Sequence, residues 1–315
     1  MSYSELIKDA FRIALRNRYL WFFGFFAGGT FGANIPSGGG GFNTDDFDQP
    51  GAPFFGAGVS SGEVAAIIGL VLLGVVLFLA FIVLAIISNG GLADSVYAVD
   101  RGEPRRFAST WRAGTSRFWR VLGYFLVYFL IGAVLLVAIA LPVGLLVAGT
   151  LVATESTGAR ILVIALAVLA GILLMIVLFV VLGIVAKFAL RELVVRGTGI
   201  FGSFGGGLRL FRDNLGKSLL VWLINIGLSI AAWIAFFVAL LVVGLVLFLP
   251  TIILATQDLS TAAVITGIAA GVILLPIILV VSAALGTFFH TYWTLAYLRI
   301  STPTDQEVSE AEAGV

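Results

Sequence analysis

The chain has 315 residues, of which 60% are hydrophobic and only 11% are charged, and its net charge is +1. A soluble domain keeps about a quarter of its residues charged so that its surface can face water. This composition therefore excludes an ordinary soluble protein and predicts that lipid surrounds most of the surface. The absence of cysteine excludes disulfides, thiolate metal sites and cysteine nucleophiles.

The first 33 residues join a basic amphipathic segment to a short apolar one. Residues 19–33 are apolar but shorter than the roughly 20 residues that a transmembrane helix needs. We interpret residues 19–33 as a first span, tilted or in a thinned bilayer; a re-entrant hairpin and a cleaved signal peptide are the alternatives. Glu5 and Asp9 argue against a signal peptide, because the leading region of such a peptide is simply basic.

Five longer apolar runs follow, at residues 64–87, 121–149, 161–186, 218–249 and 262–289. Each run can cross a hydrocarbon core ~30 Å thick as a helix. Apolar runs without two-residue alternation exclude a transmembrane β-barrel. Together with residues 19–33, they predict an all-α integral membrane protein with six transmembrane helices.

The basic residues indicate the orientation of these spans. With six crossings, 17 of the 18 Lys and Arg residues fall on one side and only Arg160 falls on the other. Lys and Arg favour the cytoplasmic side of short loops. We therefore expect a chain in the plasma membrane of a prokaryote, with both termini in the cytoplasm. Five crossings would instead leave the N-terminal basic cluster outside.

Three basic amphipathic segments align without gaps, at offsets of 104 and 97 residues. They match in aromatic, basic and apolar positions, and the apolar positions follow the spacing of one helix face. We interpret them as interfacial helices on the cytoplasmic leaflet, whose Lys and Arg side chains face lipid phosphates. The predicted lipid-facing residues are Lys8, Arg12, Arg16, Arg112, Arg120, Arg209 and Lys217.

This alignment predicts one membrane domain over residues 1–300, built from three repeats of an interfacial helix plus a helical hairpin. The repeats cover about residues 1–100, 101–196 and 197–300. The alternative is that any helix entering a membrane from the cytoplasm has basic and aromatic flanks. The acidic residues 301–315 are expected to form a disordered tail.

A family resemblance rests on residues 11–17 (FRIALRN) and 20–25 (LWFFGF). They resemble the segment before the first span of prokaryotic multi-span proteins that are grouped with the membrane domain of glycerophosphoryl diester phosphodiesterases. The resemblance covers the whole chain in layout and implies a six-helix membrane domain of poorly defined role. It does not imply phosphodiesterase activity, because that chemistry belongs to a soluble barrel domain for which this chain has no room.

Two polar side chains inside the last spans are candidates for function. His290 is either part of a proton relay or a histidine in the aromatic belt at the interface. Asn225 either joins helices by a hydrogen bond or contacts a substrate. Lys187, Arg191 and Glu192 mark the end of the fourth span, where we expect an interfacial ion pair.

No nucleophile–base pair, zinc-ligand set or Walker motif is present. We therefore expect no enzyme activity, no metal, no cofactor and no nucleic-acid partner. The apolar spans lack the mid-membrane charges that ion and polar-solute carriers need. The sequence thus favours a non-catalytic module that organises anionic lipids of the cytoplasmic leaflet or other membrane proteins. The alternative is a transporter or lipid-moving protein with an apolar cargo.

Overall fold

A computed structural model describes residues 2–28, 61–153, 156–257 and 260–302. Within these ranges the regular structure is entirely helical. The helices are α1 (Tyr3–Arg16), α2 (Leu20–Gly28), α3 (Ser61–Asp100), α4 (Phe107–Ser116), α5 (Phe118–Ala153), α6 (Thr157–Val195), α7 (Ile200–Asp213), α8 (Leu215–Thr256) and α9 (Ser260–Ser301). The predicted acidic tail lies outside the described residues, apart from residues 301 and 302.

One to three residues separate each short amphipathic helix from the apolar helix that follows it. Asn17 follows α1, and its side-chain amide donates a hydrogen bond to the carbonyl of Ile13 at 3.0 Å. Asn214 follows α7 and binds the carbonyl of Leu210 in the same way at 3.4 Å. The backbone N–H of each asparagine donates to the same carbonyl, so both donors of the residue bind the last turn of the helix. Asparagine side chains compete for backbone hydrogen bonds and are therefore disfavoured inside helices, so these two breaks follow from local sequence.

Five helices, α3, α5, α6, α8 and α9, are long and apolar enough to cross a membrane. The prediction of a multi-pass all-α membrane protein is confirmed to this extent. The sixth predicted span is described only as α2, whose nine residues extend about 14 Å at 1.5 Å per residue. Residues 29–33 of that predicted span lie outside the described residues.

The three inner helices α3, α6 and α9 contact one another, and each carries one amphipathic helix on its outer face. Helix α4 packs on α3, α7 packs on α6, and α1 packs on α9. Glycine permits the approach in two of these pairs. A Cβ atom on Gly91 would lie 2.6 Å from the carbonyl oxygen of Thr110, and one on Gly207 would lie 2.8 Å from that of Val185.

The core lies at the end of the bundle that carries α1, α4 and α7, called the basic end below. The largest fully buried side chains there include Phe188, Tyr292 and Trp293. Arg299 of α9 joins Asp9 of α1 at 3.1 Å and Asp100 of α3 at 3.8 Å. In contrast, most large apolar side chains in the opposite halves of the long helices are exposed, as a lipid-facing surface would be.

The bounds of the amphipathic helices do not give a single offset between the predicted repeats. Helices α1 and α4 begin at Tyr3 and Phe107, which is the offset of 104 used in the sequence alignment, but they end at Arg16 and Ser116, an offset of 100. Helices α4 and α7 end at Ser116 and Asp213, the predicted offset of 97. Four residues are about one helical turn, so either alignment buries the same face. The repeat organisation therefore stays a prediction.

Candidate functional site

A cavity of about 320 Å³ lies between α2, α3, α5, α6 and α9, close to the basic end. This volume is at the lower limit of typical ligand pockets. Its walls are largely aromatic and include Phe81, Tyr128 and Phe289. The polar side chains that line it come from the three inner helices and from α5. The cavity therefore has apolar walls with a concentrated set of polar groups.

Two cations of α6, Lys187 and Arg191, line this cavity. They are four residues apart, so they lie on the same face of the helix. Lys187 is eight residues before the end of α6 at Val195, which places it about 12 Å from the helix end. From the sequence, both residues mark the end of the fourth span, where Glu192 was expected to pair with a basic neighbour. In the structure these two cations line the cavity inside the bundle instead.

Arg191 is held in place by α9 and by its own helix. Its exposed fraction is 3%. The guanidinium donates hydrogen bonds to the carbonyl of Lys187 at 2.9 Å, to the carbonyl of His290 at 3.3 Å and to the hydroxyl of Thr294 at 3.4 Å. All three acceptors are neutral, so they fix the position of the guanidinium without balancing its charge.

Lys187 contacts an aromatic ring instead of a carboxylate. Its Nζ lies 5.2 Å from the ring centroid of Trp293, within the range of a cation–π interaction. Trp293 in turn donates its indole N–H to the Oδ1 of Asn225 at 3.0 Å. The buried Asn225 thus joins α8 to α9, which is the structural role that the sequence suggested, and it also orients the ring that faces Lys187.

Glu192 forms the ion pair that the sequence predicted for it, but with a residue nearer the helix end. Its Oε1 lies 3.3 Å from Arg196, and its Oε2 accepts a hydrogen bond from the hydroxyl of Tyr297. This carboxylate is therefore occupied at the basic end. It does not pair with Lys187 or Arg191 in the described structure.

His290 of α9 also lines the cavity and is only 7% exposed. Neither ring nitrogen has a hydrogen-bond partner within the described part of the chain. The alternative of a histidine in an interfacial aromatic belt does not fit this position, because such a side chain would reach headgroups and water. His290 is therefore an internal polar group whose ring has no hydrogen-bond partner among the described residues.

The seven predicted lipid-facing cations lie elsewhere, on the outer surface of the basic end. Six of them are exposed and Lys217 is half-buried. None of them lines the central cavity. We call these seven residues the basic belt. The structure thus separates two sets of cations. The exposed set was predicted from the sequence, whereas Lys187 and Arg191 were not predicted to line a cavity.

A second cleft is formed by α8 and α9 alone, on the halves away from the basic end. It measures about 260 Å³ and is lined only by apolar residues, among them Phe236, Ile278 and Leu285. Positions 278, 281, 285 and 289 of α9 fall on one helix face by their spacing. Leu285 and Val281 line the cleft while Phe289 lines the central cavity, so the two lie next to each other along one face of α9.

Comparison with known proteins places the chain in a family. Searches of the curated proteins and of the solved structures found no match to it. A family model described as "Family of unknown function (DUF7544)" matches residues 19–305, which include all of α2 to α9. The chain therefore belongs to DUF7544, a family of unknown function.

Proposed function

We propose that this protein is a non-catalytic membrane module that organises anionic lipids, or partner membrane proteins, at the cytoplasmic leaflet. The observation that carries the proposal is the set of amphipathic helices α1, α4 and α7, one packed on each inner helix, whose cations are exposed at the basic end. Amphipathic helices of this kind lie in the interface, with the apolar face toward the acyl region and cations toward phosphates.

The charge of the basic end supports the same proposal. In the six-span topology this side has 17 basic and 11 acidic residues, a difference of +6. Each Lys or Arg near an anionic leaflet contributes about 1 kcal/mol of attraction. A few such residues acting together are enough to enrich anionic lipids around the module. The resemblance to the membrane domain of glycerophosphoryl diester phosphodiesterases stays a separate prediction.

The proposal includes a topology of six spans in the plasma membrane of a prokaryote, with both termini cytoplasmic. The packing of α1 on α9, α4 on α3 and α7 on α6 supports three repeats of interfacial helix plus hairpin. Because the chain has no cysteine, single cysteines can report the side of each segment. We expect Arg112→Cys to be labelled only from the cytoplasm and Arg160→Cys only from outside; the reverse pattern would overturn the orientation.

Lipid analysis of the protein extracted in native nanodiscs tests the lipid-organising role. We expect anionic lipids to be enriched over the bulk membrane around the wild-type protein. The triple variant Lys8→Gln, Arg112→Gln, Arg209→Gln removes exposed charge from all three amphipathic helices, so the enrichment should fall. Arg160→Gln, at the other end of the bundle, is the matched control and should leave it unchanged. Equal lipid composition around all three proteins would contradict the proposal.

A lipid-moving protein with an apolar cargo is the second candidate. The apolar cleft between α8 and α9 favours it, because the residues that line the cleft and those that line the central cavity follow one another along α9. Reconstitution in vesicles with a fluorescent lipid in the outer leaflet separates the two candidates. Faster exchange of the lipid between leaflets would support movement, whereas enrichment without exchange supports the organising module.

A further inference from the structure

The three inner helices place different polar side chains at corresponding positions of the central cavity. Asn89 of α3, Lys187 of α6 and His290 of α9 all line it. Four residues before each of them, the cavity is lined by a small residue, at Ala85, Gly183 and Gly286. The small residues leave space directly beside the polar ones. The repeated framework thus forms a pocket whose polar groups are not identical, as a binding site for an asymmetric ligand requires.

The positive charge in this pocket has no protein counter-charge. Lys187 and Arg191 form no ion pair with any carboxylate in the described ranges. The buried carboxylates of the basic end have other partners: Asp94 binds Arg105 and Arg117, and Glu192 binds Arg196. Burying an uncompensated charge is costly unless a partner is supplied. An anionic ligand would supply it.

His290 adds a hydrogen-bonding group beside these cations. Its ring is buried, and neither ring nitrogen has a hydrogen-bond partner within the described structure. The backbone carbonyl of His290, in contrast, accepts a hydrogen bond from Arg191. A neutral imidazole carries one N–H donor. That donor can bind an oxygen atom of an anion held by Lys187 and Arg191. The hydroxyl of Tyr124, in contrast, is occupied by the carbonyl of Ala186 at 2.7 Å.

The apolar cleft is suited to the hydrocarbon part of an amphiphilic ligand. The cleft has almost no polar surface, and it begins at Leu285, next to the cavity residue Gly286. A free inorganic anion has no apolar part that could occupy this cleft. An amphiphile, however, places its charged group among the cations and its hydrocarbon chain along α8 and α9, where apolar burial stabilises it.

We infer that the central cavity binds the anionic headgroup of one membrane lipid, with an acyl chain in the cleft between α8 and α9. Lys187 and Arg191 balance the charge of the headgroup, and His290 donates a hydrogen bond to it. This inference deepens the proposed function and rests on it, since it names one tightly held lipid inside the module. It is distinct from the looser lipids attracted by the basic belt.

Native mass spectrometry tests the site on the purified full-length protein. The probes are phosphatidylglycerol, phosphatidylcholine and inorganic phosphate, each titrated separately after annular lipids are removed. We expect one phosphatidylglycerol per wild-type chain, bound more tightly than phosphatidylcholine, whose choline cation would face Lys187. Inorganic phosphate binding as tightly as phosphatidylglycerol would assign the cavity to a free anion and overturn the inference.

Variants at Lys187 test the role of its charge. Lys187→Met keeps an aliphatic side chain of similar length and removes the charge, so the dissociation constant should rise roughly tenfold to hundredfold. Lys187→Arg keeps the charge and should retain the lipid. His290→Phe leaves both cations in place and should weaken binding by about threefold to tenfold, which gives a second test if Lys187→Met does not fold. Wild-type affinity in Lys187→Met or His290→Phe would refute the site.

The belt variant Arg112→Gln separates this inference from the proposed function. Arg112 is exposed on α4 and does not line the cavity, so the tight lipid should bind with unchanged affinity. A protein with belt-dependent enrichment but no Lys187-dependent lipid would overturn the inference alone. A protein with a Lys187-dependent lipid and no belt-dependent enrichment would overturn the proposed belt alone.

Discussion

The contact between α2 and α9 should fail when a single methyl group is added at Gly24. A Cβ atom there would overlap the Thr287 hydroxyl oxygen and would lie 2.5 Å from the Thr287 backbone nitrogen and 2.7 Å from the Ala283 carbonyl oxygen. Two of these three atoms belong to the backbone of α9, so no rotamer change relieves the contact. Gly24→Ala therefore requires the two helices to move apart.

The magnitude follows from two effects. Overpacking in a close contact costs about 1–3 kcal/mol. Separation of the helices also breaks the hydrogen bond from the Thr287 hydroxyl to the Leu20 carbonyl at 3.1 Å. Such bonds between membrane helices contribute roughly 0.6 kcal/mol on average. Alanine regains about 0.5–1 kcal/mol of helix stability over glycine, so the net loss is about 1–3 kcal/mol.

The free energy of unfolding, measured by SDS titration in detergent micelles, checks this value. The matched control is Gly69→Ala in α3, where an added Cβ has no atom within 4 Å. The control should be as stable as the wild type or slightly more stable. If Gly24→Ala unfolds at the same SDS concentration as Gly69→Ala, the close approach of α2 and α9 is refuted.

Three further changes test the packing of the basic end. Asp94→Asn should cost about 1–3 kcal/mol, since Asp94 binds Arg105 and Arg117 on both sides of α4. Asp9→Asn, with more exposed partners, should lower the free energy of unfolding by less than about 1 kcal/mol in the same SDS titration. Equal losses in the Asp94 and Asp9 variants would contradict the greater burial of the Asp94 ion pairs. Asn225→Leu and Trp293→Phe should each destabilise the protein, and a double-mutant cycle should give a coupling of about 1 kcal/mol; additive losses would refute the bond. Gly207→Ala should loosen α7 from α6 and speed proteolysis between them, whereas Gly205→Ala, with no atom near its added Cβ, should not.

The elements of the fold could be predicted from the sequence because they follow from local composition. Apolar runs identified all five long helices, and basic amphipathic segments identified α1, α4 and α7. The register of the predicted repeats stays a prediction, because a shift of four residues preserves the buried face of an amphipathic helix.

The internal site was harder to predict than the belt. Lys187 and Arg191 stand after an apolar run, and in sequence they cannot be distinguished from cations at a membrane interface. Their inward direction depends on the helix continuing to Val195 and on packing against α9. His290 and Asn225 were singled out because polar residues are rare in spans. The contact between the ring of Trp293 and Lys187 joins residues 106 positions apart, which no local pattern reveals.

The packing of α1 on α9 has a consequence for assembly in the membrane. The ribosome makes α1 first of the described helices and its partner α9 last, so α1 waits while the intervening spans are inserted. In the proposed arrangement, its exposed cations, such as Arg12, hold it on the anionic leaflet during that time. When α9 arrives, the ion pair between Asp9 and Arg299 joins the two helices. Completion of the bundle is thereby tied to the arrival of its final span.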